Sequence, residues 1–151
     1  MRSRLAIVAC LALSLSAWAA QLPYDEKADP RAELQHALSV AQDQHKNVLM
    51  IFGANWCEDC RDLDRAMHGS SAALIASHFV VVKVDVGNFN KHLDLSREYG
   101  DPIHKGIPAA VVLSAANQVL YSTKAGELAD ARRMSETGIY DFFSKVVATS
   151  H

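Results

Sequence analysis

The sequence has little excess charge, few cysteines and no clustered histidines, and these shortages exclude several classes of function. The chain of 151 residues carries 15 lysines and arginines against 17 aspartates and glutamates, a net charge of −2 at pH 7. Without a run of basic residues, nothing in the composition favours binding to nucleic acid. The seven histidines show no ligand spacing and the three cysteines supply only one CxxC pair, so we expect no metal and no other cofactor.

The chain does have enough apolar sequence for one hydrophobic core. Half of its residues, 50%, are hydrophobic, and its length is typical of one domain. No internal repeat, low-complexity tract or interdomain linker divides it. We therefore predict a single domain over residues 20–151.

Residues 1–19 have the pattern of a secretory signal peptide. Two arginines precede an apolar stretch from Leu5 to Ala17, and Ala17-Trp18-Ala19 offers a cleavage site after Ala19. An uncleaved anchor is disfavoured because the stretch is shorter than the ~20 residues that span a bilayer. A lipoprotein signal at Cys10 is a further alternative, but apolar residues continue past it. We expect an exported protein, periplasmic or secreted, with no stable membrane insertion after cleavage.

A Trp-Cys-x-x-Cys motif follows the first strand-like segment. Val48–Phe52 is an apolar run of strand length, Gly53-Ala54-Asn55 interrupts it, and helical spacing begins at Cys57. Cys57 is thus expected at a helix N-terminus, where free N–H groups and the helix dipole favour a thiolate and lower the pKa of its thiol. Cys60, one turn later on the same face, can close a disulfide. Signal cleavage would remove Cys10, leaving this pair in an oxidising compartment.

The rest of the chain alternates between helical and strand-like patterns. The Phe79–Val86 run of β-branched residues predicts a strand buried on both faces. Crossover helices imply parallel pairing of the first strands, and the short connection at the end implies an antiparallel pair. We predict an α/β fold with a mixed central sheet of about four strands and helices on both faces. The predicted helices begin near Pro30, Cys57, Ser71 and Asn90, with the last around Ile139–Val147, and the strands are Val48–Phe52, Phe79–Val86, Ala109–Leu113 and Val119–Ser122.

Two motifs give the sequence a family resemblance. Trp56-Cys57-Glu58-Asp59-Cys60 follows the first strand, and Gly106-Ile107-Pro108 precedes the final strand pair. With this element order, the chain resembles the thioredoxin superfamily over about residues 29–147. Within it, the chain is similar to exported bacterial thioredoxin-like and disulfide isomerase-like proteins. The resemblance implies a thioredoxin-like fold and an enzyme, a thiol–disulfide oxidoreductase that reduces or isomerises protein disulfides.

The resemblance also implies roles for individual residues. Cys57 would be the exposed nucleophile that attacks a client disulfide, and Cys60 the thiol that resolves the mixed disulfide. Protein disulfides would be the substrates, and a membrane electron-donor protein would return the electrons. The client-binding surface would be formed by Trp56, Ile107, a cis-proline at Pro108, and Gly126.

Two features depart from the family pattern. The buried aspartate that commonly serves as base toward the second cysteine is replaced by Ile51, although Lys83 matches the lysine that often accompanies it. Water, Glu58 or Asp59 remain as substitute bases. The stretch 87–104 is longer than in the minimal fold, and it is either a substrate-selecting flap or a plain loop insertion.

Glu58 and Asp59 are expected to tune the redox potential. Their negative charges repel a thiolate at Cys57, which favours the disulfide and makes the protein a reductant. We expect a potential nearer ~−270 mV than ~−120 mV. The alternative is that both acids only favour the first turn of the helix.

A second function remains open, a client-binding module in which the Cys57–Cys60 disulfide is purely structural. A bridge that closes so short a loop stabilises the fold little through chain entropy. This small gain favours the redox role.

Overall fold

The structure is a computed structural model and describes residues 21–150. The predicted signal peptide, with Cys10, lies outside the described residues. Five α-helices occur in the described part of the chain: α1 (Pro30–Gln44), α2 (Glu58–His68), α3 (Ala72–His78), α4 (Leu93–Glu98) and α5 (Glu136–Thr149). The strands are β1 (Asn47–Gly53), β2 (Phe79–Asp85), β3 (Ala109–Leu113) and β4 (Val119–Ser122), and short 3₁₀ helices span Pro102–Lys105 and Ala131–Arg133.

The four strands form one mixed sheet in the order β2-β1-β3-β4. Strands β1 and β2 pair in parallel, whereas β3 pairs antiparallel with both β1 and β4. Helix α1 packs on β1 and β2, while α2, α3 and α5 contact one another. The predicted α/β fold, with its mixed sheet and helices on both faces, is confirmed.

The prediction that the second strand is buried on both faces is wrong. Strand β2 lies at the edge of the sheet, because it pairs with β1 and with no other strand in residues 21–150. One face of β2 is only partly covered, since Val81 is 36% exposed and the Lys83 side chain on the same face is 18% exposed. The strands in the middle of the sheet are β1 and β3, and Val48–Phe52 of β1 is completely buried.

Local sequence fixes where the two long helices, α1 and α5, begin. The Asp29 carboxylate accepts hydrogen bonds from the N–H groups of Arg31 and Ala32, and Pro30 occupies the first turn, where its missing N–H costs nothing. Ser135 caps α5 in the same way, its hydroxyl accepting from the Gly138 N–H. These caps fix the residue at which α1 and α5 each begin, and both helices bury apolar side chains in the core.

The segment after β2 differs most from its prediction. Helix α4 begins at Leu93 rather than near Asn90, because Phe89 and His92 adopt left-handed conformations with φ of 58° and 52°. Ser71 precedes α3 as expected, but its side chain makes no capping hydrogen bond. Within residues 21–150, none of the helices combines the length and apolar character that crossing a bilayer requires.

Candidate active site

The two cysteines lie where β1 leads into α2. Cys57 is the N-cap of α2 and forms a disulfide with Cys60, at a Cα–Cα distance of 5.2 Å. The Cys57 sulfur also accepts a hydrogen bond from the Cys60 N–H at 3.2 Å. Cys57 therefore stands at the helix N-terminus that the sequence predicts, where an N–H group already points at its sulfur.

The two cysteines are unequally accessible. Cys57 is 5% exposed and Cys60 is 1% exposed. The prediction that Cys57 is exposed is therefore wrong for the disulfide form, in which the Ile107 carbonyl oxygen lies 3.8 Å from its sulfur. Cys57 is nevertheless the more exposed residue of the pair.

The loop before β3 forms one wall of the site. The Ile107–Pro108 peptide bond is cis, and the Ile107 carbonyl faces the Cys57 sulfur. Gly126 lies against the same loop, with a φ of 76°, and a Cβ at that position would lie 2.9 Å from the Lys105 carbonyl oxygen. A side chain at Gly126 would therefore displace the loop that carries Ile107 and Pro108.

An exposed pair of aromatic rings extends the site to the other side of Cys57. Trp56 is 55% exposed, and its indole N–H donates to the Gly87 carbonyl at 2.9 Å. The Phe89 ring, 44% exposed, is tilted by 59° to the indole with centroids 6.2 Å apart. The start of the long 87–104 stretch thus supports Trp56. Sequence reasoning missed Phe89, although an aromatic residue between two asparagines was an available signal.

Glu58 and Asp59 have a partner that sequence reasoning also missed. The Arg132 guanidinium lies 3.0 Å from Glu58 and 3.8 Å from Asp59, and the Arg132 backbone N–H donates to the Asp59 carboxylate at 2.9 Å. The Glu58 hydrogen bond, with the charges of both acids, raises the pKa of the Arg132 guanidinium. The positive charge offsets part of the repulsion expected at Cys57. No local pattern signals this contact, because 73 residues separate Asp59 from Arg132.

The interior side of the site contains a partly buried ion pair. The Lys83 ammonium lies 2.6 Å from the Asp64 carboxylate, and each side chain is 18% exposed. Burial lowers the pKa of Lys83, and the hydrogen bond to Asp64 opposes that shift. Ile51 is completely buried beside them in β1. The acid that pairs with Lys83 therefore comes from α2 rather than from position 51.

Metal coordination finds no support in the described part of the chain. No group of three or more histidine, cysteine, aspartate or glutamate side chains is close enough there to hold an ion.

Comparison with known proteins gives this fold and site a family. Residues 29–115 match the family described as Thioredoxin-like, and the chain belongs to that family. The crystal structure of a disulphide isomerase from Xylella fastidiosa Temecula1 is 55% identical to this chain, with a TM-score of 0.82. The match covers 85% of this chain and 98% of that one. No curated protein sequence matches the chain.

More distant structures share the fold alone. The germline-specific thioredoxin Deadhead from Drosophila melanogaster is 24% identical, with a TM-score of 0.53, over 77% of this chain and 93% of that chain. A thioredoxin from Thermus thermophilus is 19% identical, with a TM-score of 0.56, over 77% and 85%. Family membership and the Cys57–Cys60 disulfide together support the general class of thiol–disulfide oxidoreductases.

Proposed function

We propose that this chain is an exported enzyme that reduces or isomerises disulfide bonds in other proteins through Cys57 and Cys60. The observation that carries the proposal is the different surroundings of the two sulfur atoms. Cys57 caps α2 and adjoins Trp56 and the Ile107 carbonyl, whereas Cys60 is enclosed by the core. A client sulfur therefore reaches Cys57 first, and Cys60 acts only afterwards.

The reductive cycle balances with no further cofactor. The Cys57 thiolate attacks one client sulfur, and the other client sulfur leaves as a thiolate that takes a proton from solvent. Cys60, having lost its proton to solvent, then attacks the Cys57 sulfur, breaks its bond to the client and forms the Cys57–Cys60 disulfide. The second client sulfur leaves as a thiolate and also takes a proton from solvent. Counting the proton that Cys57 released on becoming a thiolate, the enzyme gives up two electrons and two protons, and the client gains the same number.

The local electrostatics favour Cys57 as the attacking thiolate. The N–H groups at the start of α2 and the helix dipole stabilise a negative charge at this position, and the Cys60 N–H already points at the Cys57 sulfur at 3.2 Å. Trp56, Ile107, Pro108 and Gly126 would form the surface that receives the client chain around the disulfide.

Reduction and isomerisation differ in the fate of the mixed disulfide. A reductase ends each cycle oxidised and needs a donor, for which we propose a membrane electron-donor protein. An isomerase returns to the dithiol when a second client thiol displaces Cys57. The similar Xylella fastidiosa protein is described as a disulphide isomerase, so refolding of scrambled ribonuclease A is the first assay to run beside insulin reduction.

Export depends on residues 1–19, which lie outside the described residues. We propose that cleavage after Ala19 releases the chain into the periplasm or the medium. N-terminal sequencing of the secreted or periplasmic protein should read from Ala20. A protein that retains Met1 in the cytoplasm would contradict the proposal.

The assignment of the two cysteines can be tested by trapping. Incubated with a purified disulfide-containing protein such as insulin, Cys60→Ser should accumulate a mixed disulfide that is visible on a non-reducing gel and lost on reduction. Cys57→Ser should trap at least about tenfold less, because the enclosed Cys60 cannot reach a client.

Two control results keep the trapping test decisive. The double variant Cys57→Ser/Cys60→Ser should form no adduct, which excludes trapping through Cys10. Equal trapping by both single variants would show that the roles are wrongly assigned. Failure of the unmodified protein to reduce insulin or refold scrambled ribonuclease A would instead favour a binding module with a structural disulfide.

A further inference from the structure

The side of the disulfide that faces the core contains a tyrosine whose hydroxyl is unused. Tyr24 is 3% exposed, and its hydroxyl oxygen has no hydrogen-bond partner among the described residues. Buried polar groups in folded proteins nearly always have a partner, so each exception requires an explanation. In sequence, Tyr24 lies before α1 and far from both the cysteine motif and the proline motif.

The Tyr24 hydroxyl and the Cys60 sulfur both lie beside Gly53. A Cβ built at Gly53 would overlap the Tyr24 hydroxyl oxygen and would lie 2.8 Å from the Cys60 sulfur. The two atoms therefore approach the same point, and only the missing side chain of a glycine leaves room for both. The sulfur that performs the resolving attack thus has a hydroxyl group as its neighbour.

Other contacts hold Tyr24 in this place. The Asn55 side chain accepts from the Tyr24 N–H at 2.9 Å and donates to the Tyr24 carbonyl at 2.8 Å. Asn55 directly precedes Trp56 and Cys57, so this pair of hydrogen bonds joins the segment before α1 to the active-site turn. The Lys83 ammonium lies 5.3 Å from the centroid of the Tyr24 ring.

The charged groups around Tyr24 already have partners. On α2, Asp64 holds the Lys83 ammonium of β2 at 2.6 Å. At the end of β2, Asp85 accepts from the Lys91 ammonium and from the Gly87 N–H, both at 3.0 Å. Burial, with the negative charges of Asp64 and Asp85 adding to it, raises the pKa of Tyr24. The hydroxyl therefore keeps its proton and is available as a donor.

We propose that Tyr24 is a positioning residue for the resolving cysteine: its hydroxyl donates a hydrogen bond to the Cys60 sulfur when the disulfide is open. The proposal rests on the proposed function for its role in the cycle. The bond stabilises the Cys60 thiolate after its proton has passed to solvent, and so favours the attack of Cys60 on the Cys57–client disulfide. Position 51, occupied by isoleucine, offers no polar group for this purpose.

The test isolates Cys60 as the one titrating thiol. In a Cys10→Ser/Cys57→Ser background, thiolate absorbance is followed against pH and the signal of the matching Cys60→Ser protein is subtracted. Adding Tyr24→Phe should raise the pKa of Cys60 by about one unit, because a hydrogen bond to a charged acceptor is lost. Tyr140→Phe, which removes a hydroxyl from the exposed face of α5, should leave the Cys60 pKa unchanged.

A kinetic readout follows from the same shift. In the otherwise unmodified chain, Tyr24→Phe should slow the decay of a preformed Cys57–client disulfide by about threefold at pH values below the Cys60 pKa. A rise of about one pKa unit lowers the thiolate fraction of Cys60 about tenfold at these pH values. The more basic thiolate is about threefold more nucleophilic, so the net loss of rate is about threefold. The oxidised variant should be at least as stable to denaturant as the unmodified protein, since the removed hydroxyl has no partner in that state.

The outcomes separate this inference from the proposed function. An unchanged or lowered Cys60 pKa in the Tyr24→Phe protein would overturn the hydrogen bond, whatever the activity of the enzyme. A raised pKa in a protein that reduces and isomerises no client disulfide would leave the hydrogen bond standing and overturn the proposed function. A raised pKa with unchanged decay of the mixed disulfide would overturn the role in resolution.

Discussion

Arg132 changes the charge that Cys57 experiences from the two acids in the motif. From the sequence, Glu58 and Asp59 present two unopposed negative charges beside the nucleophile. In the structure, the guanidinium of Arg132 lies 3.0 Å from Glu58 and 3.8 Å from Asp59. We therefore propose that the redox potential depends on three side chains, one of which belongs to a distant 3₁₀ helix.

Removing that positive charge should make the protein a stronger reductant. We expect Arg132→Gln to raise the pKa of Cys57 by less than about one unit and to make the potential more negative, because both acids then repel the thiolate more strongly. The effect should shrink at high ionic strength, since Arg132 is 46% exposed. Thiolate titration and equilibration with glutathione measure the two quantities.

A neighbouring arginine provides the matched control for this change. Arg133 is 75% exposed and lies 3.6 Å from Asp130, away from the motif. Arg133→Gln should leave the pKa of Cys57 unchanged. If both variants behave like the unmodified protein, Glu58 and Asp59 are helix-start residues and do not tune the potential.

At the level of secondary structure, the end of β1 is the place where three parts of the site meet. Gly53 is the last residue of β1, and the space beside its Cα is shared by the Tyr24 hydroxyl and the Cys60 sulfur. The strand must therefore end in a residue without a side chain, even though its φ angle does not require glycine.

Adding one methyl group to this strand should be costly. We expect Gly53→Ala to lower the free energy of unfolding by about 1–3 kcal/mol, because the new Cβ would overlap the buried Tyr24 ring and crowd the Cys60 sulfur, so that these atoms must shift. Gly138→Ala on α5 is the matched control, since its Cβ would meet only ordinary contacts at 3.4 Å and beyond. Denaturant unfolding of both proteins measures the difference. A similar small change in both would show that the Tyr24 ring can move away from Gly53.

Strand and helix types could be predicted from sequence, whereas their surroundings could not. The period of the apolar residues identifies β1, β3, β4 and the long helices, because each buries one face or both. The position of β2 at the edge of the sheet is not encoded in its own residues, since α1 covers one of its faces and a β-branched run fits either place. The start of α4 was missed because Phe89 and His92 adopt φ angles that non-glycine residues seldom take.

On the scale of the whole molecule, the buried Tyr24 makes the free energy of unfolding depend on pH in the alkaline range. Its folded pKa is raised above the ordinary 10.0, so above pH 10.0 the unfolded chain releases a proton that the folded chain keeps. Stability from this group therefore falls as pH rises. Lys83 acts in the opposite direction, because burial lowers its folded pKa below 10.5 and stability rises with pH as the folded chain loses that proton first.

Comparison with one variant separates the two effects. Tyr24→Phe retains Lys83 and every other tyrosine, so the difference in unfolding free energy between the unmodified and variant proteins isolates the Tyr24 hydroxyl. We expect that difference to fall by about 1.36 kcal/mol per pH unit above the unfolded tyrosine pKa. Denaturant unfolding of the oxidised proteins from about pH 9 to about pH 11 would measure it. A difference that stays constant across this range would mean that solvent reaches the hydroxyl.

Local sequence could reveal the redox pair but not its distant neighbours. Cys57 and Cys60 follow from local spacing, because a strand, a break and a helix start lie within a few residues of them. Tyr24 and Arg132 could not be found in this way. Each reaches the motif from a distant segment, and both stand outside residues 29–115, which match the family.

The surroundings of Trp56 also give the protein a built-in optical probe. Among residues 21–150 it is the one tryptophan, and its half-exposed ring directly precedes the disulfide and contacts Phe89. Its emission should therefore respond both to opening of the Cys57–Cys60 bond and to the arrival of a client. Redox titration and client binding can then be followed by fluorescence in real time, with no label attached.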